Sequence, residues 1–126
     1  NGLPEPIKDY AHFWKHGAGG YKSDVRDFAK FANALANKQL INEKTTSAMW
    51  TNQNTVDGAK SKYGLGVVVE GEGRSLKISH NGSQDETRTR MVIYPNLGHG
   101  IVVMCNTQGA EPGRISTAIY SAMNSR

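Results

Sequence analysis

The hydrophobic period of this chain changes once, near residue 63, and that change restricts the fold more than any other feature. Before it, Val25, Phe28, Ala29, Ala32, Leu35 and Ala36 recur at three- and four-residue spacing, with Phe31 widening the stripe. That is the pattern of a helix with one apolar face. Ser23 or Asp24 is placed to cap it, and it is expected to run to about Asn37. Asn42 opens a shorter helix, with Leu40 and Ile41 just before it and Met49-Trp50 near its end. Residues 51–62 are polar, rich in Asn, Gln and Lys, and read as a surface loop.

Beyond residue 63 the period shortens to two. Strands are expected over Tyr63–Glu70, Arg74–His80, Thr87–Tyr94 and His99–Cys105, separated by turns at Gly71-Glu-Gly73 and Pro95-Asn-Leu-Gly98. Pro112, a residue favoured at the first helical position, opens a last helix. Its apolar residues Ile115, Ala118, Ile119, Ala122 and Met123 form one stripe, expected to pack on the sheet. Residues 1–20 read as irregular, punctuated by Pro4, Pro6 and the Gly17-Ala-Gly19-Gly20 cluster. The order predicts an α+β fold: an antiparallel sheet of about four strands, two preceding helices and a C-terminal helix on the sheet. At 126 residues the chain is a single unit, 1–126, whether a small domain or one piece of a larger one.

Charge and cysteine content exclude several classes. Fifteen basic against eleven acidic residues leave +4, but the positive residues are scattered. The densest stretch, Arg88-Thr89-Arg90, alternates like one face of a strand, so nucleic-acid binding, which needs clustered charge, is not expected. No segment approaches the ~20 apolar residues of a membrane-spanning helix. No signal-peptide pattern is visible, and any export signal is expected outside this sequence. Cys105 is the single cysteine, set at the end of an apolar strand, so no internal disulfide and no thiolate zinc site are expected.

Among the histidines, His12 and His16 stand four apart without matching ligands nearby, and His99 reads as an exposed residue after a turn. His80 is different. It is read as closing a strand, followed by Asn81-Gly82-Ser83, where glycine lets a ligand approach the backbone. Two readings stay open for it: a structural strand-end residue, or a neighbour of an anion or oxyanion. The chain contains no Ser-x-x-Lys and no Gly-x-Ser-x-Gly elbow, so it carries no self-sufficient nucleophile motif. Asp85-Glu86 is a solvated loop pair.

Read in order, these pieces resemble the C-terminal portion of the serine β-lactamase and DD-peptidase-like hydrolase family, in its class C branch. Gly19-Gly20-Tyr-Lys-Ser23-Asp-Val-Arg-Asp27-Phe28-Ala-Lys-Phe31 is similar to the family's Gly-Gly-x-x-Ser-Thr-x-x-Asp-Leu-x-x-Phe segment. Tyr63-Gly-Leu-Gly66 resembles a Tyr-Gly-Leu-Gly strand opening, and His80-Asn-Gly82 resembles the His-x-Gly variant of the Lys-Thr-Gly motif. The apolar strand His99–Cys105 followed by Asn106 fits the same pattern, and the likeness covers about residues 10–125. The family's Ser-x-x-Lys belongs upstream and is absent. Tyr94-Pro-Asn96 matches the letters of its Tyr-x-Asn motif but follows His80, and reads as a turn. Gln84-Asp-Glu86 stands where the family has a Gly-rich loop.

The resemblance implies a parent serine hydrolase that works through an acyl-enzyme on a β-lactam, a D-amino-acid peptide or a small ester. It implies His80 as the polar side chain at the cleft, Asn81 and Gly82 as substrate-binding positions, and the Ser83 backbone N–H as an oxyanion-hole donor. One such preorganised donor contributes about 3 kcal/mol to an acyl-transfer transition state. No cofactor or metal is implied. The expected partners are the acyl substrate and either a missing N-terminal fragment or a second copy, in a periplasmic or secreted setting. The alternative, from a different class, is a non-catalytic domain whose edge strand grips a peptide or protein.

Overall fold

The computed structural model describes residues 13–125, so the opening segment with Pro4 and Pro6 lies outside the described residues. A 3₁₀ turn, Phe13–Lys15, leads into a one-turn helix α1, His16–Gly19. Helices α2, Val25–Ala36, and α3, Glu43–Met49, follow. The sheet comprises β1, Val68–Glu70, β2, Lys77–Gln84, β3, Thr87–Tyr94, and β4, His99–Cys105. Helix α4, Pro112–Asn124, closes the chain. The strands are antiparallel in the order β1-β2-β3-β4, which with the flanking helices is the expected α+β architecture.

The helices start where side-chain caps satisfy otherwise unpaired N–H groups. Of the two candidate caps for α2, Asp24 serves, accepting from the N–H groups of Arg26 and Asp27 at 2.8 and 2.9 Å. Asn42 caps α3 by accepting from Thr45 N–H at 2.8 Å. The apolar face of α2 buries Ala32 and Leu35 against the sheet, with Phe28 and Ala36 packed beside them. The register puts Val69, Ile78, Ile93 and Met91 on that same face. These residues, with Val67, form the core, and Ile78 and Ile93 are fully buried cross-strand partners. Burying a side chain of this size contributes roughly 1.5–3 kcal/mol.

The opposite face carries Val92, Ile101 and Val103 and is covered by α4. This helix does pack on the sheet, but not through its apolar stripe. Ser116 is the buried side chain, and Tyr120 stacks on Tyr94 with ring centroids 4.4 Å apart. Ile115, Ile119 and Met123 remain 42%, 38% and 47% exposed. Ser116 and Tyr120 are the residues the helix turns to the sheet, and this leaves the stripe outward.

Two strands depart from the expected spans. Tyr63–Glu70 is regular only over Val68–Glu70, with an isolated bridge between Tyr63 and Val68. The intervening residues form a tight loop because Gly66 takes φ +79° and Gly64 N–H donates to Val67 O. The strand expected at Arg74–His80 begins later, at Lys77, since Gly73–Ser75 makes a 3₁₀ turn, and it continues to Gln84. Asn81-Gly82 reads locally as turn chemistry. The actual hairpin turn is at Asp85-Glu86, with Glu86 at φ +56°.

Gly64 is where loop and helix meet most closely. A Cβ there would stand 2.1 Å from Met49 O, at the end of α3. Gly64→Ala is therefore expected to destabilise the fold by about 1–3 kcal/mol. By contrast Gly113→Ala, with open space around it in α4, should be neutral or stabilising by about 0.5 kcal/mol. Denaturant melts of both variants check the contrast.

Candidate functional site

β1 pairs with β2 only across Lys77–Ser79. From His80 to Gln84, β2 keeps β3 on one side and has no strand partner on the other among the described residues. This open half of the strand carries all four positions singled out in the sequence. His80 is an interior residue opposite Met91, not the strand-closing residue expected from the sequence, because Asn81–Gln84 pair in register with Thr87–Arg90.

Alternation sorts the four positions. His80, Gly82 and Gln84 share the face of Ile78, toward α2, while Asn81 and Ser83 lie on the opposite face. On that opposite face Asn81 Oδ1 accepts from Arg90 at 2.6 Å, and Ser83 is exposed. The Arg88 guanidinium donates to the carbonyls of Gln84 and Thr87 at the hairpin turn. The arginines are thus bound into the hairpin rather than gathered into a basic patch.

The exposed His80 imidazole meets Tyr63: its Nε2 lies 2.9 Å from Tyr63 Oη, with the rings edge-on at 67° and 6.1 Å between centroids. Tyr63 was visible in the sequence only as the first residue of Tyr63-Gly-Leu-Gly66, with no role attached. Gln84 is the second residue whose part the sequence did not disclose. Its amide donates to Gly19 O at 2.6 Å and its carbonyl accepts from Lys15 Nζ at 2.8 Å. The segment 13–20 is thereby fastened across the end of β2, on the His80 side. Gly19 permits this: a Cβ there would sit 2.9 Å from the Gln84 amide nitrogen, at a φ of +151°.

Among the described residues no carboxylate is hydrogen-bonded to His80, and Asp85 and Glu86 are exposed. The acidic group held most firmly in the sheet is Glu70, whose pKa is lowered by its cross-strand bond to Lys77 at 2.8 Å. Among the described residues no three His, Cys, Asp or Glu side chains converge as metal ligands. The His12/His16 spacing is left without a test because His12 is outside the described residues. His99, expected as an exposed turn residue, is half-buried against Tyr94 and Tyr120 at 5.3 and 6.0 Å. The strand pairing that places His99 opposite Tyr94 brings it under α4. A groove of about 170 Å³ lies at that far end, between α2 and the β3–β4 turn, lined by Ala29, Asn33, Asn37, Tyr94, His99 and Val102. His80 does not line it.

The arrangement thus comprises an imidazole hydrogen-bonded to a phenol and a main-chain edge without a strand partner among the described residues. No Ser-x-x-Lys stands beside them.

The protein-family model described as Beta-lactamase matches residues 2–122. No curated protein gives a significant match. Among solved structures, the chain is similar to an octameric penicillin-binding protein homologue from Pyrococcus abyssi, at a TM-score of 0.68 and 20% identity over 80% of this chain. It is also similar to a penicillin-binding protein from Bacillus halodurans, at 0.62 and 25% identity over 78% of this chain. A structure described as SurE with D-Leu aligns at 0.59 and 18% identity over 80% of the chain. The chain spans 24%, 30% and 25% of the lengths of those three proteins.

The geometry also gives Gly82 a structural reason to lack a side chain. A Cβ there would stand 2.2 Å from Thr89 Oγ1, directly across the strand pair. Gly82→Ala should therefore destabilise the fold, and Thr89→Ala in the same chain should relieve part of the loss. A double-mutant cycle is expected to give a coupling of roughly 0.5–3 kcal/mol, and additive losses would refute the clash.

Proposed function

This chain belongs to the β-lactamase family, and on that premise we propose that it is the C-terminal part of a serine hydrolase acting through an acyl-enzyme. The observation that carries the proposal is the edge of β2 from His80 to Gln84, unpaired among the described residues, with the His80 imidazole on its helix-facing side. In this reading the nucleophilic serine and its lysine come from sequence upstream of this segment. The serine oxygen attacks the acyl carbonyl, the leaving group departs protonated, and water then releases the acyl group. The substrate is a β-lactam, a D-amino-acid peptide or a small ester, lying along the edge as an added strand.

Each residue has a distinct part. His80 is the hydrogen-bonding and proton-network side chain. Gly82 adds no side chain to a face that Thr89 Oγ1 already crosses. The Ser83 N–H contributes to the oxyanion hole. Asn81 serves the substrate through its main chain, since its side chain is engaged by Arg90 on the other face. The same open edge also supports the rival reading of a non-catalytic strand-binding domain, and activity separates the two.

The share of the solved relatives that this chain spans, with the exposed stripe on α4, supports an association role. Alone, the chain is expected to hydrolyse neither nitrocefin nor p-nitrophenyl esters. Mixed with a polypeptide carrying the upstream Ser-x-x-Lys half, it should form a complex and show turnover. Light scattering and a chromogenic assay on the same samples test both. Turnover by the chain alone, or a clean monomer indifferent to the upstream half, would sink this reading.

In the reconstituted enzyme, His80→Ala should slow acylation about 10²–10³-fold. Its effect on folding should stay within about 1 kcal/mol, because His80 is exposed and makes one side-chain hydrogen bond to Tyr63. A lowered melting midpoint with unchanged acylation per folded molecule would end the catalytic assignment of His80.

A further inference from the structure

We propose that Tyr63 is a positioning residue that decides which nitrogen of His80 faces the reacting groups, an inference that rests on the hydrolase reading above. The contact is direct: Tyr63 Oη and His80 Nε2 are 2.9 Å apart. The other ring nitrogen, Nδ1, has no hydrogen-bond partner among the described residues. A phenol donates a proton far more readily than neutral imidazole, so Tyr63 donates to an unprotonated Nε2 and the imidazole proton resides on Nδ1. Nδ1–H is then the group presented to substrate or nucleophile. When His80 is protonated the same phenol oxygen accepts from Nε2–H, so the ring keeps its orientation through proton transfer.

Tyr63 can do this because its own main chain is held from several directions. Gln53 N–H donates to Tyr63 O at 2.8 Å, and Tyr63 N–H donates to Ser61 Oγ at 3.1 Å. Leu65 N–H donates to Met49 O at 3.0 Å, and Gly64 packs against the same carbonyl. The bridge from Tyr63 to Val68 sets the Tyr63 backbone against β1, whose Val68 pairs on its other side with Ser79, the residue before His80. The loop is thus anchored by its backbone to the end of α3, and the phenol hydroxyl is not needed to hold it. Tyr63 and His80 are both exposed, so their pairing does not seal the core.

The test uses nitrogen-15 spectra of the His80 imidazole in this chain at a pH where it is neutral. The expected wild-type spectrum shows the proton on Nδ1 and an unprotonated Nε2. Tyr63→Phe should give a mixture of tautomers or the Nε2–H form, with the melting midpoint nearly unchanged. A mixture in the wild type, or an unchanged spectrum in Tyr63→Phe, overturns the proposal. In the enzyme reconstituted with its Ser-x-x-Lys half, Tyr63→Phe should lower the acylation rate about tenfold, less than loss of the imidazole itself. Combined with His80→Ala it should add nothing further, the mark of a residue acting through another. Additive losses overturn the positioning role while leaving His80 in place. A reconstituted enzyme that never acylates overturns the hydrolase reading instead, and the imidazole spectrum, read on this chain alone, distinguishes that failure from the first.

Discussion

Among the described residues β2 is paired on both sides only as far as Ser79, and the organisation of the molecule depends on that short reach of β1. The doubly paired half, Lys77–Ser79, is anchored by Ile78, which is fully buried against Ile93, Val69 and the α2 face. The singly paired half, His80–Gln84, projects beyond the core with its backbone edge open among the described residues. Open edges invite association with other chains unless something covers or blunts them. Here the outer half is polar, ends in the charged turn Asp85-Glu86, and is crossed at its tip by the segment fastened through Gln84. A strand that is rigid at one end and accessible at the other can hold a side chain still without burying it.

The core itself is thin and lies mainly on one side of the sheet, between β1–β3 and α2. On the other side α4 approaches closely through Ser116 and Tyr120 and leaves Ile115, Ile119 and Met123 outward. Val25 and Phe31 of α2 are about half exposed as well. An apolar row on the outer face of a helix is removed from water when further structure packs on it. That is consistent with a chain that spans 24–30% of the penicillin-binding protein structures it resembles.

Local and distant order are joined at one carbonyl. Met49 O, at the end of α3, accepts from Leu65 N–H and faces Gly64 at a distance that admits no side chain. The loop that follows α3 must therefore return to the helix end before it enters β1, and this places the Tyr63 phenol on His80. The two glycines of Tyr63-Gly-Leu-Gly66 have different physical reasons. Gly64 allows close approach, and Gly66 adopts a left-handed conformation.

The sequence by itself determined the elements whose signals are periodic or terminal. These include the Asn42 cap, the apolar face of α2, the exact spans of β3 and β4, and the Pro112 start of α4. Each depends on residues within a few positions of one another, where side-chain spacing maps directly onto geometry. The family motifs singled out His80 and Gly82, and the strand register then set both on one face of β2. Only the tertiary structure decided where β2 ends, since Asn81-Gly82 has turn chemistry locally and is overridden by pairing with Thr89 and Arg90. It likewise decided that the α4 stripe faces outward and that His99 lies under Tyr120. The contacts that complete the site link residues 17, 65 and 69 positions apart: Tyr63 with His80, Gly19 with Gln84, and Lys15 with Gln84. No local periodicity encodes such pairs, because they exist only once the sheet register and the docking of the α3 loop bring distant segments together.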